Sequence, residues 1–460
     1  MEQFKKVAIY NLGCKVNSYE AQAMEENLEE NGYQIVGFSE VADVYIVNTC
    51  TVTNIASSKS RQMLRRGKKI NPQAFTVAVG CYAHIMEKED RGYHGIDLMI
   101  GNNKKKDLVE ILDCFLGTIR GKEEDLVNEE KAIKEEAVKE EVRKKEKPVR
   151  KEMVDIHQAT EYEKLSRSKV GSHTRENVKI QDGCNQFCSY CIVPLVRGRA
   201  RSRPVDEVIK EVTSLSENGC REVVLTGINL SSYGEDLDNV TLLGLIEEIH
   251  KVSGIIRIRL GSLEPRLITT EFVKTLSSLE KFCPHFHLSL QSGCDEILKK
   301  MNRKYTTQEY AKKCQFIREY FSHPSITTDI IVGFPGEREE DFLETKSFVE
   351  KVGFHETHIF KYSKREGTKA ASLPNQLSNF VKSKRSEELI QLGKVKKKEF
   401  ERYYLGREVE VLVEGKGRVN GKEVQVGYTK EYVKIVVKNE KKLQNQVVSV
   451  KIIEESQFVH

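Results

Sequence analysis

Three closely spaced cysteines constrain the fold of this chain more than any other feature of its sequence. Cys184, Cys188 and Cys191 form a Cys-x3-Cys-x2-Cys run in GCNQFCSYC, so their thiols share one short loop. Three thiolates can hold three irons of a [4Fe-4S] cluster, and the fourth iron then keeps an open position for a substrate or cofactor. The alternatives are a chance cluster of buried cysteines and a zinc knuckle, although zinc sites usually pair Cys-x2-Cys with a second pair or with histidine.

Length and composition favour a multidomain cytoplasmic enzyme. The chain has 460 residues, which suggests about three domains. Its eleven cysteines, an odd number in a long chain, indicate a reducing compartment and roles in metal binding or packing. No apolar run approaches the roughly 20 residues of a membrane span, and the N-terminus lacks a signal-peptide pattern. The net charge of +5 is small, so any binding of nucleic acid must rest on local basic patches.

Residues 1–118 alternate strand and helix patterns, which predicts an open parallel α/β sheet. Short runs rich in β-branched residues predict strands at 5–13, 43–50 and 75–81. Cys14, Cys50 and Cys81 each fall at the carboxyl end of one of these strands. In a parallel sheet those ends share one crevice, so the sequence predicts a second open-sided cluster site there. The alternative is that each is an ordinary core or loop cysteine.

Residues 119–172 are more than half charged over much of their length and predict a linker, with an RNA-binding arm as the alternative. Residues 173–395 then repeat strand and helix patterns. Strands are predicted at 177–183, 222–228, 255–262, 286–292, 325–334 and 356–362. Six such units predict a partial (βα)6 barrel with its active-site residues after the strands. The cysteine loop at 184–191 follows the first of them.

Residues 400–460 predict a small C-terminal all-β barrel, because short alternating runs are separated by turns containing glycine. Small barrels of this kind commonly bind RNA. The lysines and arginines of this region can contact phosphates or form a solvated face, and the sequence leaves both interpretations open.

Taken together, these motifs resemble those of the radical SAM (S-adenosylmethionine) methylthiotransferase family over nearly the whole chain. NLGCKVNSYE, VNTCTVT and VGCYAH resemble the three motifs of the family's first cluster. GCNQFCSYCIVPLVRGRARSR resembles its SAM-cluster motif, and the C-terminal β-domain resembles the TRAM module that grips RNA. The resemblance implies an N-terminal methylthiotransferase domain, a radical SAM domain and a TRAM-like domain.

The resemblance also implies two [4Fe-4S] clusters and SAM as cofactors. The cluster on Cys184, Cys188 and Cys191 would pass an electron to SAM and generate a 5'-deoxyadenosyl radical. The cluster on the three N-terminal cysteines would carry the sulfur to be inserted. The residues expected to bind SAM are Tyr190, Thr226, Gly227, Ser262, Glu264, Gln291 and Asp329. Core packing or capping is the alternative role for each of these polar and aromatic residues.

The substrate expected from the resemblance is tRNA. Gly13-Cys14-Lys15-Val16-Asn17 and LTGINLSSYG look like the threonylcarbamoyladenosine branch, whereas the isopentenyladenosine branch reads Gly-Cys-Gln-Met-Asn and the ribosomal-protein branch Gly-Cys-Pro-Lys-Asn. This branch methylthiolates carbon 2 of N6-threonylcarbamoyladenosine at tRNA position 37. The expected partners are the anticodon stem-loop and an electron donor such as flavodoxin or ferredoxin, with no membrane. The arginines expected to contact phosphates, with ion pairs as the alternative, are Arg197, Arg199, Arg201 and Arg203.

Two other functions remain compatible with the sequence. One is a sister methylthiotransferase acting on isopentenyladenosine in tRNA or on an aspartate of a ribosomal protein. The other is a non-catalytic iron–sulfur or zinc protein that binds RNA. Cleavage of SAM separates enzyme from binding protein, and mass spectrometry of nucleosides and ribosomal peptides separates the enzymes.

Overall fold

The computed structural model of the chain describes residues 5–89, 95–117, 149–169, 174–419, 421–438 and 443–459. The described chain divides into two compact units. The first comprises Met1–Arg167 with Ile192–Arg199, and the second comprises Ser168–Cys191 with Ala200–His460. Among the described residues, no helix is both long enough and apolar enough to cross a membrane. Two parts of the predicted linker 119–172, residues 119–148 and 170–172, lie outside the described residues.

The first unit is built on a parallel sheet, as predicted. Its strands are β1 (Lys6–Asn11), β2 (Gln34–Ile35), β3 (Val44–Thr49), β4 (Phe75–Gly80), β5 (Leu98–Ile100) and β6 (Arg150–Glu152). Its helices are α1 (Lys15–Glu30), α2 (Asn54–Ile70), α3 (Cys81–Glu89), α4 (108–117) and α5 (Val193–Arg197). The described strands follow the order β2-β1-β3-β4-β5-β6, and every neighbouring pair is parallel. The prediction of an open parallel α/β domain is confirmed.

Helices cover both faces of this sheet, so its central strands are apolar on both sides. Ile46 of β3 packs with Leu112 of α4, and the next residue, Val47, packs with Met63 of α2 on the opposite face. Strands buried on both faces read as continuous apolar runs, which is why β3 and β4 were recognisable in the sequence. At Gly67 of α2 an added Cβ would lie 2.8 Å from Tyr45, so the helix packs closely against β3.

The predicted linker 119–172 is too long, because part of it belongs to the first unit. β6 adds a strand to the sheet beside β5. Beyond it, the Tyr19 hydroxyl donates a hydrogen bond of 2.8 Å to the Leu165 carbonyl, and the Arg167 side chain pairs with Glu26 at 3.0 Å. The segment that makes these contacts is rich in charged residues, so its composition alone does not predict that it packs against the first unit. The domain boundaries at 395 and 400 stay predictions.

The second unit contains the expected run of parallel strands. They are β7 (Arg175–Lys179), β10 (Glu222–Thr226), β11 (Arg257–Leu260), β12 (Ser262–Leu263), β13 (His285–Leu288), β14 (Ser325–Val332) and β15 (Glu356–Lys361), with β8 (Gln181–Asp182) and β9 (Arg201–Ser202) as a small antiparallel pair. The helices are α6 (Val205–Glu217), α7 (Leu242–Lys251), α8 (Thr270–Ser278), α9 (Asp295–Lys300), α10 (Thr307–Tyr320), α11 (Glu339–Val352) and α12 (Asn379–Arg402).

The parallel strands follow one another in chain order. Among the described residues, β7, β10 and β11 form one sheet, and β12 to β15 form the next. The third predicted strand, 255–262, is interrupted at Gly261, which separates β11 from β12. All the neighbouring pairs are parallel, and helices follow the strands. The prediction of a partial (βα)6 barrel is confirmed.

The C-terminal region forms the predicted all-β module. Its strands are β16 (Glu408–Val419), β17 (Lys422–Tyr428), β18 (Lys434–Val437) and β19 (Val447–Lys451). The order β18-β17-β16-β19 is antiparallel throughout the described strands, and an isolated bridge joins Ile435 to Phe458. Phe400 of α12 packs on its apolar face, together with Tyr403 and Tyr404, which directly follow the helix. This antiparallel sheet is consistent with a TRAM module.

The turn between β17 and β18 packs against charged side chains at the start of the parallel strands. Tyr432 has a positive φ of 72°, and its ring lies 4.6 Å from the Arg259 guanidinium and 4.9 Å from that of Arg175. Arg257 donates a hydrogen bond of 2.6 Å to the carbonyl of Tyr428. Both Arg257 and Arg259 are about 1% exposed, so these side chains are dehydrated by the C-terminal module.

Glu222 of β10 supplies the negative charge that this arginine cluster needs. Its carboxylate lies 2.7 Å from Arg259 and 3.9 Å from both Arg257 and Arg175. Burial alone would raise the pKa of Glu222, but the three arginines outweigh burial and hold that pKa below its usual value. The carboxylate therefore stays ionised and neutralises part of a buried positive charge.

Replacing Glu222 by Gln is expected to destabilise the second unit by about 3–5 kcal/mol, because buried guanidinium groups lose their compensating charge. The pKa is lowered in the folded state, so this stabilisation is complete above the ordinary glutamate pKa and is lost as the pH falls toward the lowered value. Thermal unfolding at neutral pH and near pH 4 measures both effects.

The matched control for this prediction is Glu248→Gln on α7. Glu248 pairs with Lys251 at 2.6 Å, but both side chains are about half or more exposed, so the expected change is below about 1 kcal/mol. Equal losses of stability in the two variants would contradict the role assigned to Glu222.

Candidate functional site

The cysteine loop of the second unit lies just beyond the carboxyl end of β7. Cys184 follows the short strand β8, and the Gln186 backbone N–H approaches its sulfur at 3.4 Å. The Arg303 Nη1 donates toward the Cys188 sulfur at 3.1 Å, and the Cys191 N–H donates to the Cys188 carbonyl at 3.0 Å. The loop thus presents its thiols at the edge where a parallel barrel places its chemistry.

A neighbouring segment after α9 fixes the shape of this loop. The backbone N–H of Ser189 donates to the Met301 carbonyl at 3.0 Å, and its hydroxyl donates to the Lys300 carbonyl at 2.8 Å. The side-chain amide of Asn302 donates to the Phe187 carbonyl at 3.0 Å. Backbone contacts to another segment therefore hold the cysteines at their spacing.

The electrostatics of the loop suit a cationic ligand. Burial raises the pKa of the Cys184 thiol to about 11, and Cys188 and Glu264 act in the same direction, whereas Arg303 opposes it. Iron is bound by the thiolate, so metal binding must displace this proton. The N–H donors on the sulfurs of Cys184 and Cys188 stabilise that thiolate form. The residues present therefore fit a cluster with three protein ligands.

All but one of the residues expected to bind SAM lie at or beyond the carboxyl end of a parallel strand; the exception, Asp329, lies in the middle of its strand. Thr226 ends β10, Ser262 begins β12, Glu264 follows β12, Gln291 follows β13, Asp329 lies within β14, Gly227 follows β10 and Tyr190 lies in the cysteine loop. At Gly227 an added Cβ would lie 2.9 Å from the Gln181 side chain, so only glycine fits there. The Gln291 N–H donates to the Asp329 carbonyl at 2.9 Å, which brings these two residues together. Tyr190 packs in an apolar cluster with Met301 and Phe334.

Arg303 and Tyr305 belong to the site, although the sequence did not single them out. Arg303 contacts the Cys188 sulfur, pairs with Glu264 at 2.9 Å and donates to the Tyr305 hydroxyl at 3.0 Å. The Tyr305 hydroxyl donates to the Ser289 carbonyl at 2.6 Å, just after β13. The signal available in the sequence was the run MNRKY, which places an arginine and a tyrosine shortly after a predicted strand. A loop of cysteine thiolates needs cationic donors of this kind.

The first unit brings its own cysteines to one edge of its sheet. Cys50 directly follows β3, Cys81 begins α3 directly after β4, and Cys14 begins the turn into α1 after β1. The strands β1, β3 and β4 are neighbours in the sheet. Gly13 has a φ of 110°, and an added Cβ would lie about 3 Å from the Cys50 side chain, so the backbone beside Cys14 touches Cys50. The geometry suits the predicted second site.

Side-chain donors surround Cys81. Arg197 of α5 donates toward its sulfur at 3.3 Å and Asn102 at 3.5 Å. Arg197 is also bound to Glu20 at 2.9 Å and to the Asn17 side chain at 2.6 Å. Such donors favour thiolate sulfur, while burial raises the pKa of Cys50 to about 11. These cysteines therefore sit where metal binding, rather than free ionisation, would stabilise their charged form.

Burial contradicts the phosphate contacts expected of three arginines. Arg197, Arg201 and Arg203 are each about 2% exposed or less, and Arg203 pairs with Glu211 at 2.7 Å. A phosphate group cannot reach side chains so deeply covered, so the ion-pair alternative describes Arg197 and Arg203. Arg199, by contrast, is exposed.

A basic cleft of about 530 Å³ lies in the second unit, between the segment after β12 and α10. Its cationic residues are Arg266, Lys304, Lys312 and Lys313. Glu309 is the acidic residue of its lining, and it accepts the backbone N–H of Thr306 at 2.7 Å as part of the α10 capping box. The cleft therefore carries net positive charge beside the segment that holds the cysteine loop.

Comparison with known proteins identifies the class. The Radical SAM superfamily matches residues 178–349, and the Uncharacterized protein family UPF0004 matches residues 6–101. The radical S-adenosylmethionine methyltransferase TsrM from Kitasatospora setae, solved with cobalamin and a [4Fe-4S] cluster bound, has a TM-score of 0.56 at 16% identity and covers 80% of this chain and 77% of its own. That likeness concerns the fold alone. With the cysteine loop, these findings define a radical SAM protein, a class that uses a [4Fe-4S] cluster and SAM.

The curated relatives narrow this class. Threonylcarbamoyladenosine tRNA methylthiotransferase MtaB of Bacillus subtilis (strain 168) is 36% identical over 98% of this chain and 96% of its own length, and the MtaB of Aquifex aeolicus (strain VF5) is 38% identical over 89% and 92%. A tRNA-2-methylthio-N(6)-dimethylallyladenosine synthase from Alkaliphilus oremlandii (strain OhILAs) is 32% identical over 98% and 90%. The chain belongs to the radical SAM methylthiotransferase family.

Proposed function

We propose that this protein inserts a methylthio group at carbon 2 of N6-threonylcarbamoyladenosine at tRNA position 37. The observation that carries the proposal is a pair of thiol triplets, each at the carboxyl edge of its own parallel strands. Replacing an aromatic C–H bond by C–S near neutral pH is beyond acid–base side chains, but a radical abstractor and a sulfur donor can do it. Two separate triplets supply places for both.

In this proposal Cys184, Cys188 and Cys191 hold the cluster of the radical reaction. When bound, that cluster supplies the electron that cleaves SAM to methionine and a 5'-deoxyadenosyl radical. Arg303 holds the Cys188 sulfur through a hydrogen bond and is itself fixed by Glu264 and Tyr305. The protein's contribution is to orient SAM at the strand edge and to exclude side reactions.

We assign SAM binding to the predicted residues at that edge. Thr226 and Gly227 would bind SAM through backbone atoms, as the resemblance implies, and the backbone at Gly227 is held close to Gln181, where a side chain would not fit. Glu264 is buried, is anchored by Arg303 and can accept hydrogen bonds from a ribose or an amino group. The remaining members of this proposed set are Tyr190, Ser262 and Gln291. Asp329, although expected from the sequence, is excluded from the set because it lies within β14 and its carboxylate pairs with His287.

Cys14, Cys50 and Cys81 would hold the second [4Fe-4S] cluster, which would carry the sulfur to be inserted, and a second SAM molecule would supply the methyl group of that sulfur. Its support in this chain is the set of donors around Cys81. Arg197 and Asn102 both point N–H groups at that sulfur, and Arg197 is fixed by the buried carboxylate of Glu20. Hydrogen bonds to a ligand sulfur stabilise its anionic form and tune the cluster that it holds.

The threonylcarbamoyl substrate is supported by two observations. The first cysteine motif reads Gly13-Cys14-Lys15-Val16-Asn17, as the resemblance predicts for that branch. Relatives bearing that activity in their names are 36% and 38% identical, and one dimethylallyladenosine synthase, from Thermoanaerobacter sp. (strain X514), is also 36% identical over 88% of the chain. The motif therefore carries more weight than the identities. A cytoplasmic electron donor such as flavodoxin or ferredoxin completes the proposal.

Phosphate contacts with the anticodon stem-loop are assigned to the basic cleft and to Arg199. Lys312 and Lys313 extend from α10, and the structure shows no ion pair for either lysine among the described residues. Clustered cations that are not neutralised by acidic partners attract a phosphate backbone through release of its counterions.

The first prediction concerns the product. Anaerobically reconstituted protein with SAM and a reductant is expected to convert threonylcarbamoyladenosine in tRNA to its 2-methylthio derivative, detected by mass spectrometry of the digested nucleosides. Cys50→Ala should cleave SAM without forming this product, because only the proposed sulfur-carrying site is lost. Product from dimethylallyladenosine tRNA alone would assign the chain to the sister branch, and absence of SAM cleavage would exclude the enzyme.

The second prediction concerns cluster number. Iron and sulfide analysis should give about eight irons in the parent and about four in the Cys184→Ala/Cys188→Ala/Cys191→Ala variant. A matching triple variant at the three N-terminal cysteines should also retain about four. Four irons in the parent and none in the first variant would remove the sulfur-donor site from the proposal.

The third prediction concerns tRNA binding. Lys312→Glu/Lys313→Glu should weaken binding of an anticodon stem-loop at least tenfold at low salt and reduce the slope of affinity against salt, because phosphate contacts are lost. Lys210→Glu/Lys384→Glu, which reverses two exposed lysines outside the cleft, is the control. Equal effects of the two charge reversals would mean that the cleft has no special role.

A further inference from the structure

Three titratable side chains form a cluster that the proposed chemistry does not use as a set. His287 of β13, Asp329 of β14 and His358 of β15 lie on neighbouring parallel strands, and their ligating atoms all fall within 4.8 Å of one another. The strand register explains the cluster, because His287 stands opposite Thr327 and Asp329 stands opposite His358. We call this group the polar wall.

The polar wall lies on the face of the strands that is turned away from the helical core. Phe286 and Leu288 flank His287 in sequence, Ile330 follows Asp329, and all three apolar residues belong to the core packed under the helices. Because successive side chains of a strand point to opposite faces, the wall residues face the other side. The Asp329 side chain is 29% exposed and His358 is exposed, so both are accessible from that side.

His287 is held in place on both ring nitrogens. Its Nδ1 lies 2.9 Å from the Thr327 hydroxyl and its Nε2 lies 3.3 Å from the Asp329 carboxylate. His358 instead stacks on the His287 ring at 5.7 Å between centroids, and among the described residues the structure shows no hydrogen bond to its imidazole. The wall therefore offers one imidazole and one carboxylate whose hydrogen-bonding capacity remains available to a ligand.

Hydrogen bonds connect the wall to the edge assigned to SAM. The Gln291 N–H donates to the Asp329 carbonyl, and the Ile331 N–H donates to the Gln291 carbonyl, each at 2.9 Å. The residues just before Gln291 accept the Tyr305 hydroxyl, and Tyr305 is bound to Arg303 beside the cysteine loop. A group bound at the wall would thus lie next to the strands that position the reaction.

We propose that His358 and Asp329 bind the polar N6 substituent of the substrate adenosine and thereby select threonylcarbamoyl over dimethylallyl; this inference rests on the proposed function. The threonylcarbamoyl group carries a carboxylate, a hydroxyl and urea N–H groups. The His358 imidazole donates to the carboxylate or the hydroxyl oxygen, and the Asp329 carboxylate accepts an N–H or O–H. His287 positions Asp329 and supports the His358 ring.

Selection follows from the penalty on unpaired polar groups. A dimethylallyl substituent is a hydrocarbon, so its entry would strip water from His358 and Asp329 without replacing the lost hydrogen bonds. Sites built to hydrogen-bond a substrate group discriminate strongly against an analogue that lacks it, whereas apolar pockets discriminate weakly. A polar wall therefore separates these two substrates more sharply than differences in size would.

The test compares the parent with His358→Phe, which keeps a ring to stack on His287 but has no hydrogen-bonding nitrogen. Two quantities are measured: the affinity for stem-loops carrying threonylcarbamoyladenosine, dimethylallyladenosine or plain adenosine, and kcat/KM for the two modified tRNAs. We expect affinity and kcat/KM for the threonylcarbamoyl RNA to fall about tenfold to a hundredfold, with little change for the dimethylallyl RNA. His358→Gln, which restores a side-chain donor, should recover part of the loss.

Matched controls separate this role from a structural one. His250→Phe on α7, outside the wall, should leave both affinities unchanged, and the thermal midpoint and iron content of His358→Phe should match those of the parent. An unchanged preference between the two modified stem-loops in His358→Phe overturns the proposal. The proposal is also overturned if the parent holds a stoichiometric divalent metal other than iron and His358→Phe loses it. Two histidines and a carboxylate are also a metal-binding set.

The affinity measurement distinguishes failure of this inference from failure of the proposed function. If the parent forms no methylthio product but its affinity for the threonylcarbamoyl stem-loop depends on His358, the role of the polar wall is supported and the proposed reaction is wrong. If the parent forms the product and His358→Phe retains the same preference between the two modified stem-loops, the proposed reaction is supported and the role of the polar wall is wrong.

Discussion

The chemistry of this protein depends on one geometric constraint: parallel strands all end at the same edge of a sheet. A cysteine placed just after each of several neighbouring strands must therefore meet the others, whatever their separation in sequence. Cys14, Cys50 and Cys81 are brought together in this way across the first unit. The other triplet needs only one strand end, because its three thiols share a loop. A [4Fe-4S] cluster on either triplet would keep its fourth iron free of cysteine ligands from that triplet.

Buried arginines stabilise the frame that keeps those edges in position. In both units a carboxylate with almost no exposure neutralises them: Glu20 binds Arg197 near Cys81, and Glu222 binds Arg259 at the start of the barrel strands. Such pairs lose much of their Coulombic gain to desolvation, so their main consequence is that neither partner can be removed alone. Because Arg197 also donates to the Cys81 sulfur, the same buried network orients a proposed cluster ligand.

The sequence predicted the strands and the cysteine edges because both depend on local patterns. A buried strand is a short apolar run, and a cysteine at its end is visible in the same stretch. It could not predict which arginines are buried. Arg201 and Arg203 alternate along a chain that looks exposed and basic, yet Arg203 meets Glu211 on α6. The sequence could not predict the role of Arg303 for the same reason, because its partners Cys188 and Glu264 are distant in sequence.

Specificity within this family must come from residues that touch the N6 substituent, because the bond formed at carbon 2 is the same in both tRNA branches. This explains why relatives that act on different substrates are about equally similar to the chain, at 36% identity in two cases. In the proposed function the choice rests on a few side chains that touch the substituent, and we assign His358 to them because it is accessible and stacks on His287.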